Sequence, residues 1–176
     1  ATANTTAGSF LVSATTPGGT GVIFYLSYVP GVAAAVALAV AGGDNQSTTV
    51  NTAFADDLQV RLVDAFGNNV STSGTTVTFT APGSGASLDA VSQTALTDTS
   101  GIASLNATAN TTAGNFNVTA SSVGLTDTSF SLTNTPDVAN QFTVAGFASP
   151  VTAGASDTFT VTALDQFGNT ATGYSG

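Results

Sequence analysis

The chain has 176 residues, 42% of them apolar, with 19 glycines, a formal charge of −9 and a pI near 4.1, enough to bury a core and too ordered in composition for an acidic tail. It contains no Cys, His, Met, Trp, Lys or Glu; all ten acids are Asp, and Arg61 is the one cation. That inventory removes disulfides, thiolate metal sites, cysteine nucleophiles and the usual base near neutral pH, and one Arg cannot supply the phosphate contacts that nucleic-acid binding needs.

Thirty-two Thr and eighteen Ser, set among Val and Phe, are what a pleated half-buried surface favours, so the composition reads as all-β. The first element in the chain is already half of a repeat. Asn4-Thr5-Thr6-Ala7-Gly8 recurs as Asn110-Thr111-Thr112-Ala113-Gly114, an offset of 110 − 4 = 106, and Phe10, Val12, Ala14, Phe24 and Leu26 fall on Phe116, Val118, Ala120, Phe130 and Leu132. Further along, Asp64-Ala65-Phe66-Gly67-Asn68 returns as Asp165-Gln166-Phe167-Gly168-Asn169, an offset of 165 − 64 = 101. The change of offset places an insertion or deletion between Val40 and Leu58, where Gly42-Gly43-Asp44-Asn45 suggests a loop. A period near 105 residues matches one immunoglobulin-sized sandwich of about 100 residues. The expected organisation is the closing strands of one module over 1–29, a complete module over 30–135 and the opening strands of a third over 136–176, with Pro30 and Pro136 marking short linkers.

Within 30–135 the expected strands, in order, are 33–41, 58–62, 76–80, 93–97, 101–108, 116–120 and 126–133. Leu58, Val60 and Leu62, then Val77 and Phe79, then Phe116, Val118 and Ala120 show the period-2 alternation of strands with one buried face. Turns fall at Gly67-Asn68-Asn69, Pro82-Gly83-Ser84-Gly85 and Asp98-Thr99-Ser100-Gly101. Seven such strands argue for a sandwich, with a closed barrel as the alternative. The apolar run Val22–Ala41 is long enough for a membrane helix, but Pro30-Gly31 interrupts it, and the matching Thr128–Gly146 carries Thr133-Asn134-Thr135-Pro136-Asp137, so no membrane insertion is expected. On this run the later copy has Ser129, Ser131 and Thr135 where the earlier has Ile23, Tyr25 and Val29. The exchange makes an outward face apolar and nominates Ile23, Tyr25 and Val29 as an assembly interface.

The Asn110–Gly114 segment before Phe116-x-Val118-x-Ala120, the Asp64-x-Phe66-Gly67-Asn68 turn after Leu58-x-Val60-x-Leu62, and Asp98-x-x-Gly101 before a strand resemble bacterial immunoglobulin-like (Big) domains. These are the tandem modules of invasin- and intimin-type adhesins and large bacterial surface proteins. The resemblance implies immunoglobulin-like sandwiches in tandem and a non-enzymatic structural role in an extracellular fibre, stalk or surface layer at the cell surface. The partners it implies are neighbouring modules or copies of the same protein. An adhesin module that presents loops 42–49 and 82–87 to a glycan or protein receptor is the alternative, with Tyr25, Tyr28 and Tyr174 as the few aromatics for a sugar.

Asp64, Gly67 and Asn68, with Asp165, Gly168 and Asn169, read as structural turns in which the carboxylate accepts backbone N–H bonds and Gly takes positive φ. No cofactor is expected. Calcium is the one candidate ion, with Asp44, Asp56, Asp57 and Asp137 as hard oxygen ligands at module junctions, although no EF-hand spacing is present. Asp56 and Asp57, read as strand neighbours, would face opposite sides and make a poor catalytic pair. Ser and Thr have no His or Lys base, and Asp98-Thr99-Ser100-Gly101 reads as a turn, so catalysis is not expected. Asn4, Asn45, Asn69, Asn106, Asn110 and Asn117 each begin an Asn-x-Ser/Thr sequon.

Overall fold

A computed structural model describes residues 4–29, 37–146 and 148–175, and every element among them is a strand or a turn. Chain order gives β1 (Gly8–Ala14), β2 (Val22–Tyr28), β3 (Ala37–Gly42), β4 (Gln46–Thr49), β5 (Leu58–Val63), β6 (Thr76–Thr80), β7 (Ser92–Leu96), β8 (Ile102–Leu105), β9 (Gly114–Ser121), β10 (Thr128–Thr135), β11 (Gln141–Ala145) and β12 (Thr160–Leu164). No helix among the described residues is long and apolar enough to cross a membrane. Pro30 and residues 33–36 of the expected strand 33–41 lie outside the described residues.

Strands β3 to β10 form an immunoglobulin-like sandwich of a three-stranded sheet, β3-β5-β8, facing a five-stranded sheet, β4-β10-β9-β6-β7. The alternation read from the sequence is what builds its core. Leu58, Val60 and Leu62 from one sheet pack with Val77, Phe79, Phe116, Val118, Phe130 and Leu132 from the other, all buried, and the rings of Phe79 and Phe130 lie 6.2 Å apart.

The eighth strand, β4, lies in what the sequence suggested was the loop 42–49. Gln46-Ser47-Thr48-Thr49 has no apolar alternation to announce it. It is a strand because the chain changes sheets there, leaving β3 and pairing parallel to β10 with Gln46 opposite Leu132 and Thr49 opposite Thr135. The crossover needs a glycine: Gly43 has φ of 80°, and a Cβ there would sit 2.2 Å from the Asp57 carbonyl oxygen. Gln46 then anchors the corner, donating to the carbonyls of Gly43 and Asp56 and accepting the Asp56 N–H. Asp56 and Asp57 precede β5 and are not strand neighbours, contrary to the expectation, because the chain is still turning into β5 at that point.

Two hairpins flank the sandwich. In β1–β2 Gly8 is opposite Tyr28 and Ala14 opposite Val22; in β9–β10 Gly114 is opposite Asn134 and Ala120 opposite Thr128, the same register displaced by 106 residues. Phe24 and Leu26, which align with the buried Phe130 and Leu132, are 53% and 46% exposed, because no second sheet faces this hairpin among the described residues. The β11–β12 hairpin pairs as β3–β5 does: Val144 is opposite Val161 as Val40 is opposite Val60. This corrects the sequence alignment, in which the offset of 106 ran on to Val40. The structural offset at β3 is 144 − 40 = 104, which sets Val40-Ala41-Gly42 on Val144-Ala145-Gly146. Two residues of the length difference therefore fall before Ala37, and only three between Val40 and Leu58.

Candidate inter-element joint

The sandwich has a direction. The β5–β6 turn and the start of β3 share one end, while Asn110–Ala113 and the exit of β10 share the other. Each end meets a flanking hairpin through the same two sequence motifs.

The first motif is a folded loop. Asp64 Oδ1 accepts the N–H groups of Phe66 and Asn68, each at 2.9 Å, while the backbone closes through Asp64 N–H to Asn68 O and Gly67 N–H to Asp64 O, both 3.0 Å. Gly67 carries φ of 80°, which lets the chain reverse in so few residues. Asp165 repeats the arrangement, with Phe167 and Asn169 N–H at 2.9 and 2.8 Å and Gly168 at φ 87°. In each loop the carboxylate also takes the Nδ2–H of the closing Asn, which fixes that side chain. Asp64, Gly67, Asn68, Asp165, Gly168 and Asn169 thus all lie in turns of one design.

The fixed amide then reaches across. Asn68 Oδ1 accepts the Ala7 N–H at 2.8 Å and its Nδ2 donates to the Thr5 carbonyl at 2.8 Å. Asn169 does the same to Ala113 N–H at 2.8 Å and Thr111 O at 2.9 Å. One side-chain amide therefore pairs with a backbone donor and acceptor two residues apart, as a neighbouring strand would. The span is 68 − 5 = 63 residues in one case and 169 − 111 = 58 in the other, and the difference of five is the change in repeat offset, 106 − 101. The two joints are copies of each other.

Asp165 is completely buried in its joint. Burial pushes its carboxyl up, but the Asn169 side chain and the N–H groups of Asp137, Asn169 and Phe167 outweigh that and hold it below the ordinary carboxylate value. The bond from Asp137 N–H to Asp165 Oδ2, 3.1 Å, ties the segment after β10 into the same cluster. Asn110 secures the other partner: its Oδ1 accepts Thr112 N–H, Ser87 N–H and the Nδ2–H of Asn134, and its Nδ2 donates to Gly85 O. Asn134 is itself buried at the exit end of β10. The five-residue motif thus faces its own sandwich through Asn110 and the next element through Thr111 and Ala113.

The other sequence candidates lie apart. Asp44 accepts from Asn45 and from Ser131 N–H, Asp57 accepts from Asn106 Nδ2, and Asp137 accepts from Val138 N–H and Gln166 Nε2, while Asp56 takes part through its backbone in the Gln46 corner. No group of three or more acidic side chains that could hold a metal occurs among the described residues. Asp98 forms a turn, accepting Ser100 and Ile102 N–H. Tyr28 packs on Phe10, Tyr174 lies edge-on to Phe142, and Tyr25 stands 83% exposed, so the tyrosines form no common platform. Ile23, Tyr25 and Val29 are all exposed.

No family model and no curated protein matches the chain. Among solved structures it is similar to invasin, a bacterial integrin-binding protein, at 25% identity over 74% of this chain and 26% of that one, with a TM-score of 0.45. It is also similar to domains 4–9 of the surface layer protein SbsC, at 16% identity over 93% of this chain and 25% of that one, with a TM-score of 0.38. The chain spans about a quarter of the length of each.

Proposed function

We propose that this chain is a non-enzymatic, load-bearing segment of an extracellular fibre, stalk or surface layer, built from tandem immunoglobulin-like modules of the bacterial Big type. The repeated Asn68 and Asn169 joint carries the reading. A side-chain amide that pairs with the backbone of the preceding segment limits how the two elements sit on each other, and the arrangement occurs twice. The head-to-tail direction of the sandwich supports the same reading, since each element leaves at the end where the next joint forms. Hydrogen bonding to backbone also tolerates sequence drift in the surrounding surface, which suits a long array of diverging modules.

Small-angle X-ray scattering on the intact chain tests this reading. A scattering profile fitted by a single elongated particle is expected. A profile that requires a broad ensemble of bent conformers would overturn it.

A further inference from the structure

Residues 1–43 contain no charged side chain; all ten Asp and Arg61 lie between positions 44 and 165. Within this neutral stretch, Leu11, Ile23, Tyr25 and Val29 are 60, 56, 83 and 80% exposed. Leu11 is directly opposite Tyr25, and Ile23 is opposite Ser13 on the same face of β1–β2. The displacement of 106 residues maps Leu11, Ile23, Tyr25 and Val29 onto Asn117, Ser129, Ser131 and Thr135, all of which are exposed on the outer face of the complete sandwich. Phe10, Val12, Phe24 and Leu26 map instead onto buried Phe116, Val118, Phe130 and Leu132. A facing sheet of the kind seen in the sandwich would cover the second set and leave the first outside.

We infer that this outer face of β1–β2 is a lateral self-association surface, whose occupant is the same face of a second copy of the chain. Charge selects that occupant. Two chains of −9 repel along most of their length, and this face lets them approach without opposing two carboxylates. It carries no ion to steer a charged partner, and Ser9, Ser13 and Ser27 share it with Leu11, Ile23 and Tyr25, so the face can meet its own copy about a two-fold axis. An exposed Tyr offers at most about 150–250 Å² of contact, so with three aliphatic neighbours the patch falls short of the roughly 800 Å² per partner of a stable dimer. Single pairs are weak, and the association becomes firm only when many copies are held along two fibres. The inference rests on the tandem-module reading in one respect, that β1–β2 is completed by a facing sheet.

Sedimentation equilibrium of the intact chain, from micromolar to millimolar and at low and high salt, tests it. Concentration-dependent dimers that strengthen as salt screens the charge are expected. Leu11→Asn/Ile23→Ser/Tyr25→Ser, which installs the residues the fold carries at the equivalent positions, should weaken pairing by about tenfold or more. Phe24→Ser/Leu26→Ser, on the opposite face, should leave it in place. Loss of dimers in the outer-face triple variant with dimers kept in the Phe24/Leu26 variant supports the inference whatever completes β1–β2; dimers that survive the triple variant, or that vanish in the Phe24/Leu26 variant, overturn it. A wild-type chain that stays monomeric throughout, or binds a glycan array through Tyr25 instead, also overturns it, and leaves the scattering test of the tandem reading untouched.

Discussion

Removing one amide should loosen one joint and leave the sandwich standing. In Asn68→Ala the bonds to Ala7 N–H and Thr5 O are lost, while Asp64 keeps the N–H groups of Phe66 and residue 68. Two neutral hydrogen bonds at about 1 kcal/mol net each give about 2 kcal/mol between closed and open joints, which is a shift of about thirtyfold in their ratio. The chain has no Cys, so spin labels at Thr20→Cys between β1 and β2, outside the paired strands, and at Ser73→Cys after the Asp64 loop report on this joint. Pulsed electron–electron resonance should give one narrow distance distribution in the parent and a broad one in Asn68→Ala. Asn68→Asp should open the joint further, since a second carboxylate would face both Asp64 and the Thr5 carbonyl. Equal widths in parent and alanine variant would refute the claim that the amide sets the angle.

Phe130→Ala removes a fully buried ring packed on Phe79 and should cost about 3–5 kcal/mol by chemical denaturation, whereas Phe24→Ala at the equivalent, exposed position of β2 should cost far less in this chain. Gly101→Ala places a Cβ 2.0 Å from the Val70 carbonyl oxygen at φ 76°, and should lower the melting temperature much more than Gly168→Ala, where φ is 87° but the space is open. The depressed carboxyl of Asp165 predicts a pH effect of definite sign. Its contribution is present above the ordinary carboxylate value near 3.8 and is lost as pH falls through the lower folded value, so acid melts should show a drop in that window that Asp165→Asn flattens.

Most of the sandwich was legible because its strands alternate. Leu58-x-Val60-x-Leu62 and Phe116-x-Val118-x-Ala120 declare a buried face without reference to anything distant. Strand β4 was not legible, since its four polar residues owe their conformation to the backbone of β10 and to the Gly43 crossover. The joint was visible only as two motifs that recur. Asn68 gave the signal of a turn residue, which it is, and nothing local shows that its amide looks outward to a segment 63 residues earlier. Spacing could not have revealed it, because the change of span from 63 to 58 residues follows from the two repeat offsets, 106 and 101, whether or not the motifs touch. The burial of Asn134 was hidden for a similar reason, because its partners Ser87, Asn110 and Thr112 come together only in the fold.

The topology also fixes how tension would cross the sandwich. In the tandem array proposed above, a pull would enter at the start of β3 and leave at the end of β10, at opposite ends, so the parallel β4–β10 ladder from Gln46–Leu132 to Thr49–Thr135 would be loaded in shear and its bonds would yield together. The bond from Val50 N–H to Thr135 O, 2.9 Å, extends that ladder to the exit point, and Asn110 and Asn134 connect the exit to the next joint. Attachment at Asn51 and Thr135 instead puts both handles at one end and opens the same ladder a bond at a time. Force spectroscopy should find the sandwich markedly weaker in that second geometry. Equal rupture forces in the two directions would mean that the ladder is not the element that bears load.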